Sequence, residues 1–416
     1  MLNYVWLGLV AIAVIVAGIN GQITSVTNAA FDYAKTAVDI ALGLIGIMAL
    51  WLGIMRIAEE AGMVRILARA VKPIARRLFP DVPPDHPAMG AMVLNIAANW
   101  LGLGNAATPL GLKAMEELQK LNPQKDTATN AMVMFLALNT ASITLIPATI
   151  IAIRTQLGSH NPAEIIGTTI FSSTCATIAA VTAAKLFEYA QLGGKAFRSH
   201  LLNLLKGLLV LGLVAVALLG LGRLGVLHFL FGWLTMDLFK SVVSFVSDWA
   251  VPFLLFAIPV LAFSKRIHVY EVFIEGAKEG FEIAVKIIPF LVAILVAIGM
   301  FRASGAMDLF VKLVSPVTDL IGMPAEVLPA ALMRPLSGSG TLGIVTELMK
   351  THGPDSFIGR LASTMYGSTE TTFYVIAVYF GSVQIKKTRH AVPAGLVGDT
   401  VGLLAALFIC KVMFGG

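Results

Sequence analysis

Charge is scarce in this 416-residue chain: Asp, Glu, Lys and Arg together make up only 13% of it. Soluble domains carry about a quarter, so a soluble enzyme or binding module is excluded. With 57% hydrophobic residues and a mean hydropathy of +0.84, the chain is an integral membrane protein. Aromatic residues contribute only 8%, and there are two cysteines. Cys175 and Cys410 both lie in apolar stretches, which points to small buried side chains and not to a disulfide or a metal site. No histidine falls inside an expected span, and neither His-Glu-x-x-His nor Gly-x-Gly-Asp occurs. Ser337 and Ser339 therefore lack a general base, which argues against intramembrane hydrolysis, and no catalytic residue, metal site or organic cofactor is expected. The net charge of +6 would suggest nucleic acid in a soluble chain. Here the basic residues read as topology signals and headgroup contacts, so the expected partners are membrane lipids and not nucleic acid.

What the chain does have is a second copy of itself. Phe31–Ala41 reappears as Ile274–Ala284, with Lys35 opposite Lys278, Asp39 opposite Glu282 and Ala41 opposite Ala284, each pair 243 positions apart. The same offset links Gly62 to Gly305 and Pro73 to Pro316. Between these points Arg65, Arg69, Lys72 and Arg76 share one helical face, whereas their counterparts are Asp308, Lys312, Ser315 and Asp319. A duplicated segment loses its cationic face in this way when the second copy lies across the bilayer, because positive charge is retained on the cytoplasmic side. Val64, Leu67, Val71, Ile74 and Leu78 form the apolar side of the first copy, which is expected to lie flat on the membrane surface.

Apolar runs long enough to span occur at about 3–20, 36–57, 128–153, 163–187, 203–222, 249–264, 281–301, 357–381 and 391–413, giving nine candidates. The first lacks a basic leader and a cleavage site, so it is expected to be retained. Segments 56–77, 113–125, 185–206, 265–286 and 386–389 hold 20 of the 30 Lys and Arg. Placing these in the cytoplasm gives a cytoplasmic N-terminus and an extracytoplasmic C-terminus in a bacterial inner membrane. The organisation expected is a first repeat at 1–190, a connector at 191–248 and a second repeat at 249–416. Within the connector, helix 203–222 spans, while 226–248, with Trp233, Asp237, Lys240 and Asp248, is expected as an interfacial helix outside the membrane. The fold class is an all-α polytopic membrane protein, with two inverted-topology repeats and two re-entrant hairpins.

The hairpins are expected at 88–121 and 324–351, which Gly102–Pro109 and Pro335–Thr341 break near their middles. Asn95, Asn99 and Asn105 place amides around the first. The span after each hairpin is interrupted too, by Asn139-Thr140-Ala141-Ser142 in one copy and by Ser368-Thr369-Glu370-Thr371 in the other. Hydroxyls in a span are often interhelical glue, but this density suggests unwound helices that line a polar cavity. Glu370 is the sharpest residue, because an ionisable group at that depth needs a partner. Arg334, just before the second hairpin tip, is the natural one. The pair is either a proton carrier or solute acceptor beside an anion contact, or a structural lock. Asp399 in the last span is a further candidate, with Ser173 near the matching position.

Asn99–Pro109 resembles the spore maturation protein A family, and Arg334–Gly340 with Tyr366–Thr372 resembles the B family, here joined in one chain. Both belong to a wider nucleoside-recognition or gate-domain group, similar in architecture to the core of concentrative nucleoside transporters. The resemblance implies an order of hairpin, interrupted helix and helix, then inverted, with solute and coupling ion held at hairpin tips and interruptions. By position it implicates Asn105, Thr108, Asn139, Thr140, Ser142, Ser337, Ser339, Thr369, Glu370 and Thr371, and it suggests a homotrimer. The function expected is secondary transport of a small polar or anionic solute, coupled to protons or sodium. The alternative is a membrane scaffold or sensor that keeps a transporter fold without transporting.

Overall fold

The structure, a computed structural model, describes residues 2–102, 104–191 and 236–415. The helix expected at 203–222 and the first part of the 226–248 segment lie outside the described residues. Within the described residues the chain is helical in two series with the same order. The first is α1 (Leu2–Asn20), α2 (Ile23–Glu60), α3 (Met63–Leu78), a hairpin of α4 (Pro87–Trp100) and α5 (Gly104–Leu121), an interrupted pair α6 (Asn130–Thr140) and α7 (Ala148–Gln156), and α8 (Ile165–Gln191). The second is α9 (Met236–Ser264), α10 (Val269–Ala303), α11 (Ala306–Thr318), a hairpin of α12 (Leu328–Met333) and α13 (Gly338–His352), an interrupted pair α14 (Phe357–Ser368) and α15 (Thr372–Ser382), and α16 (Ala391–Phe414).

Six described helices, α1, α2, α8, α9, α10 and α16, are long and apolar enough to cross a membrane. Helix α9 runs unbroken from Met236 through Ser264, across position 248, where the interfacial segment was expected to give way to a span. Most of its polar residues lie in its N-terminal half, and two of them near its middle find partners in the loop before α8 and in the first turn of α8. There Asp248 accepts from Asn161 (2.9 Å), and the Ser247 hydroxyl accepts from the Gly167 amide (3.1 Å).

Without a hydrophobic drive between helices in lipid, small residues must bring the backbones together. Gly276 and Gly280 do this between α2 and α10. A Cβ on Gly276 would lie 2.5 Å from the Leu52 carbonyl oxygen, and one on Gly280 would lie 2.5 Å from the Ala49 nitrogen. Further along, Gly299 meets Tyr33, so the two helices run antiparallel. Helices α8 and α16 are antiparallel as well: Gly398 meets Ala180, Gly402 meets Ala176, and the Phe171 and Phe408 rings lie 6.2 Å apart.

At the corners, Gly62 (φ 71°) and Gly305 (φ 82°) take the left-handed conformation before α3 and α11. Only glycine adopts this conformation without steric cost. On α3 Arg65, Arg69, Lys72 and Arg76 are exposed, while Val64, Ala68, Val71 and Ala75 are buried. The buried stripe is rotated from the one expected and leaves Ile74 exposed.

The two series also meet through their loops, at opposite ends of the interrupted helices. At one end the fully buried Arg154 reaches Glu164 (2.5 Å), Asp355 (3.0 Å) and the Pro354 carbonyl (2.6 Å), while Arg360 also holds Glu164 (2.8 Å). Partial burial opposes ionisation of Asp355. The His160 amide, the Ser159 hydroxyl, the His160 ring and the Arg154 charge outweigh it and hold the carboxyl at about 2. At the other end the Lys386 and Lys387 amides both donate to the Asp126 carbonyl (2.9 Å), and the Lys387 ammonium lies 3.3 Å from the Asp126 carboxylate. Nearby, burial pushes His390 down to about 4, helped by the charges of Arg389 and Lys185.

Candidate functional site between the interrupted helices

Each interruption frees backbone groups that must find partners inside the bundle. In the first, the Leu145 amide donates to the Trp100 carbonyl at the first hairpin tip (3.2 Å), and the Thr144 amide donates to the Ser173 hydroxyl (3.2 Å). In the second, the Phe373 amide donates to the Pro335 carbonyl at the second hairpin tip (3.0 Å). The interruptions also bond to each other, the Glu370 amide donating to the Thr140 carbonyl (2.7 Å). Both breaks and both tips therefore converge on one place.

A cavity of about 150 Å³ opens there. The first series lines it with Asn99, Ser142 and Thr144, and the second with Arg334, Tyr366 and Glu370. Arg334 is buried, with its guanidinium 4.7 Å above the Tyr366 ring. Its Nη1 donates to the Thr371 hydroxyl (3.3 Å), its Nη2 lies 3.7 Å from the Glu370 carboxylate, and its Nε has no partner. A guanidinium has five donors in a planar fork suited to a carboxylate or phosphate. Several of those donors remain open here. The Glu370 side chain is 58% exposed and faces this space.

Of the residues singled out from the sequence, Arg334, Glu370 and Ser142 line this cavity together, with Thr371 supporting Arg334. Asn139 and Thr140 stand behind the wall. Asn139 accepts from Asn99 (2.8 Å) and from the Tyr379 hydroxyl (3.2 Å), and donates to the Phe135 carbonyl (2.8 Å). Tyr379 in turn accepts from Asn95 (3.2 Å), whose amide also donates to the Ala107 carbonyl (2.7 Å). Ser337 caps α13 by accepting from the Gly340 amide (3.0 Å), and its hydroxyl lies 3.4 Å from that of Ser339, so both sit at the hairpin tip without lining the 150 Å³ cavity. Thr108 is half-buried in α5, and the side chain of Asn105 lies outside what is described.

Thr369 and Asp399 face a second, larger and mostly apolar cavity of about 360 Å³, which Arg334 and Tyr366 also line. Sequence reasoning missed Tyr366 and Tyr379 as site residues. The signal was present in both, since a tyrosine in a span carries a polar tip that needs a partner. Among the described residues no group of three or more His, Cys, Asp or Glu is placed to hold a metal ion.

The nucleoside-recognition family model, Gate, matches residues 41–157 and 284–386, more than half of the chain. Spore maturation protein A of Bacillus subtilis strain 168 is 45% identical over 189 residues, which is 45% of this chain and 96% of that protein. Spore maturation protein B of the same strain is 49% identical over 175 residues, 42% of this chain and 98% of that protein. Inner membrane protein YjiG of Escherichia coli K12 is 32% identical over 84 residues, 20% of this chain and 55% of that protein. No solved structure matches the chain.

Proposed function

Because the chain belongs to the nucleoside-recognition (Gate) family and resembles spore maturation proteins A and B fused in one polypeptide, we propose that it is a secondary transporter. Its solute is small and polar or anionic, of nucleoside-like size or below, and a proton or sodium gradient drives it. The observation that carries this reading is Arg334: a buried guanidinium with an unpaired donor, at a polar cavity lined by residues of both series. A planar fork with a donor to spare beside a polar cavity suits a carboxylate or phosphate on a solute.

The reading includes an inverted repeat. Antiparallel pairing of α2 with α10 and of α8 with α16 supports it, as do the matching left-handed corners at Gly62 and Gly305. Among the described residues, six long helices and two interrupted ones then give eight crossings, with the two hairpins re-entrant; the ninth expected span, at 203–222, lies outside the described residues. Alternating access exposes the Arg334–Glu370 cavity first to one side and then to the other. The N-terminus is assigned to the cytoplasm and the C-terminus to the outside of a bacterial inner membrane.

The test is flux in proteoliposomes across a panel of nucleosides and small organic anions, under proton and sodium gradients. The expected result is uptake of at least one solute, abolished in Glu370→Gln although the variant still folds. Wild-type rates in that variant reject the assigned role. Absence of flux under every gradient rejects transport and leaves the scaffold or sensor reading.

A further inference from the structure

Two cavities share one wall. The polar space of about 150 Å³ and the apolar space of about 360 Å³ have Arg334 and Tyr366 in common, stacked guanidinium over ring. On the polar side Arg334 faces Glu370 at 3.7 Å. On the apolar side lies Asp399, buried on α16. One carboxylate oxygen of Asp399 accepts from the Thr372 hydroxyl (2.6 Å), and the other has no partner. Among the described residues Asp399 makes no ion pair within 4.0 Å, so a buried carboxylate lines a mostly apolar cavity with one oxygen unpaired and the Thr369 and Thr372 hydroxyls close by.

Among the described residues, the elements around Asp399 supply only one other full charge of each sign. The turn between α12 and α13 brings Arg334, the interruption brings Glu370 with the hydroxyls of Thr369 and Thr372, and α14 brings Tyr366. Helix α8 presents Ala176 and Ala180 to the neighbouring Gly398, and α6 presents Thr140 to Gly395. On its own helix, the Thr400 hydroxyl is taken by the Leu396 carbonyl (2.8 Å). One cation and two carboxylates leave the group one positive charge short when both acids are ionised. Such a deficit inside a membrane is relieved by binding a cation or by neutralising an acid. A hard metal ion needs a shell of oxygen ligands, and the cavity that Asp399 lines is mostly apolar, with Leu396, Leu403 and Leu404 outweighing the scattered hydroxyls of Ser368, Thr369 and Thr400. A proton needs no such shell.

We propose that Asp399 is a proton-binding site which controls whether Arg334 is available to the polar cavity. With Asp399 protonated on its open oxygen, Arg334 answers only to Glu370 and to an anion entering beside it. With Asp399 ionised, the guanidinium is drawn toward the apolar side and the polar cavity loses its cation. The solute half of this scheme rests on the transporter reading above; the proton site does not.

The experiment is an infrared pH titration of the purified full-length protein in lipid nanodiscs, reading the carbonyl band of protonated carboxylic acids. The wild type is expected to lose one such band as pH rises, and labelling aspartate with carbon-13 is expected to shift that band, which identifies it without any substitution. Asp399→Asn is expected to lack it. Removing the neighbouring negative charge with Glu370→Gln is expected to move its titration to lower pH, and removing the cation with Arg334→Gln to move it to higher pH. A band set that is identical in wild type and Asp399→Asn overturns the proposal, as does a titration that neither neighbour moves. If sodium in place of choline shifts the titration in wild type but not in Asp399→Asn, the site takes an alkali cation and the proton assignment is wrong. None of these readings requires a transported solute, so failure of the flux assay and failure of this inference remain distinct.

Discussion

The amide of Glu370 donates to the carbonyl of Thr140 at 2.7 Å, joining the interruption of one interrupted helix to that of the other. This bond separates two consequences of changing residue 370. Gln keeps the amide and removes the charge, whereas Pro removes the amide itself and leaves the Thr140 carbonyl unmet. Glu370→Pro is therefore expected to cost about 1–3 kcal/mol of stability, with Glu370→Gln close to wild type. Thermal unfolding of the two variants in detergent checks this, and equal losses would contradict it.

Arg154 is the fully buried cation that ties the loop after one interrupted helix to the loop before the other, through Glu164 and Asp355. Removing one member of a buried ionic cluster strands the rest. Arg154→Met is accordingly expected to destabilise by about 3–5 kcal/mol, read as a large fall in the midpoint of thermal unfolding. A loss no larger than that of an exposed substitution such as Arg69→Met would refute the clamp.

His390 gives a pH dependence with a definite sign. Its folded value is about 4, against about 6.5 in an unfolded chain. Between those values the unfolded state binds more protons, so stability rises with pH through this window. Its contribution is complete above about 6.5, is lost as pH falls toward 4, and is flat below. His390→Gln is expected to flatten the slope of unfolding midpoint against pH in that interval. An unchanged slope assigns it to other groups.

Gly276 and Gly280 let α2 and α10 touch backbone to backbone. Gly280→Val has no flexible side chain to displace, only the main chain at Met48 and Ala49, so the pair must separate. The expected outcome is a protein that elutes as aggregate or degrades in the membrane, with Gly381→Val, where a Cβ meets nothing within 4 Å, as the tolerated control.

Much of this was legible in the sequence because membranes punish irregular backbone. Gly102 with Pro109, and Pro335 with Gly338 and Gly340, announced the tips, and the hydroxyl runs at 139–142 and 368–371 announced the interruptions. Arg334 and Glu370 could be paired from cost alone. Which polar residue faces the cavity and which stands behind it could not be read. That depends on side-chain direction where the helix has unwound, and there the 3.6-residue period no longer applies. Asn139 was thus expected at the site but serves Asn99 and Tyr379 instead. The extent of α9 was hidden for another reason: Asp248 looks interfacial until Asn161, from a distant loop, is seen to meet it.

Alternating access at this cavity requires the two series to lie across the membrane from each other, and side-specific thiol labelling tests this without any solute. In a chain with Cys175 and Cys410 replaced by alanine, Arg69→Cys and Lys312→Cys each place one exposed thiol on α3 or α11. An impermeant maleimide applied to right-side-out and inside-out vesicles is expected to reach position 69 only from the cytoplasmic face and position 312 only from the other. If both react from the same side, the halves are parallel, and the shared cavity between Arg334 and Glu370 cannot work as described.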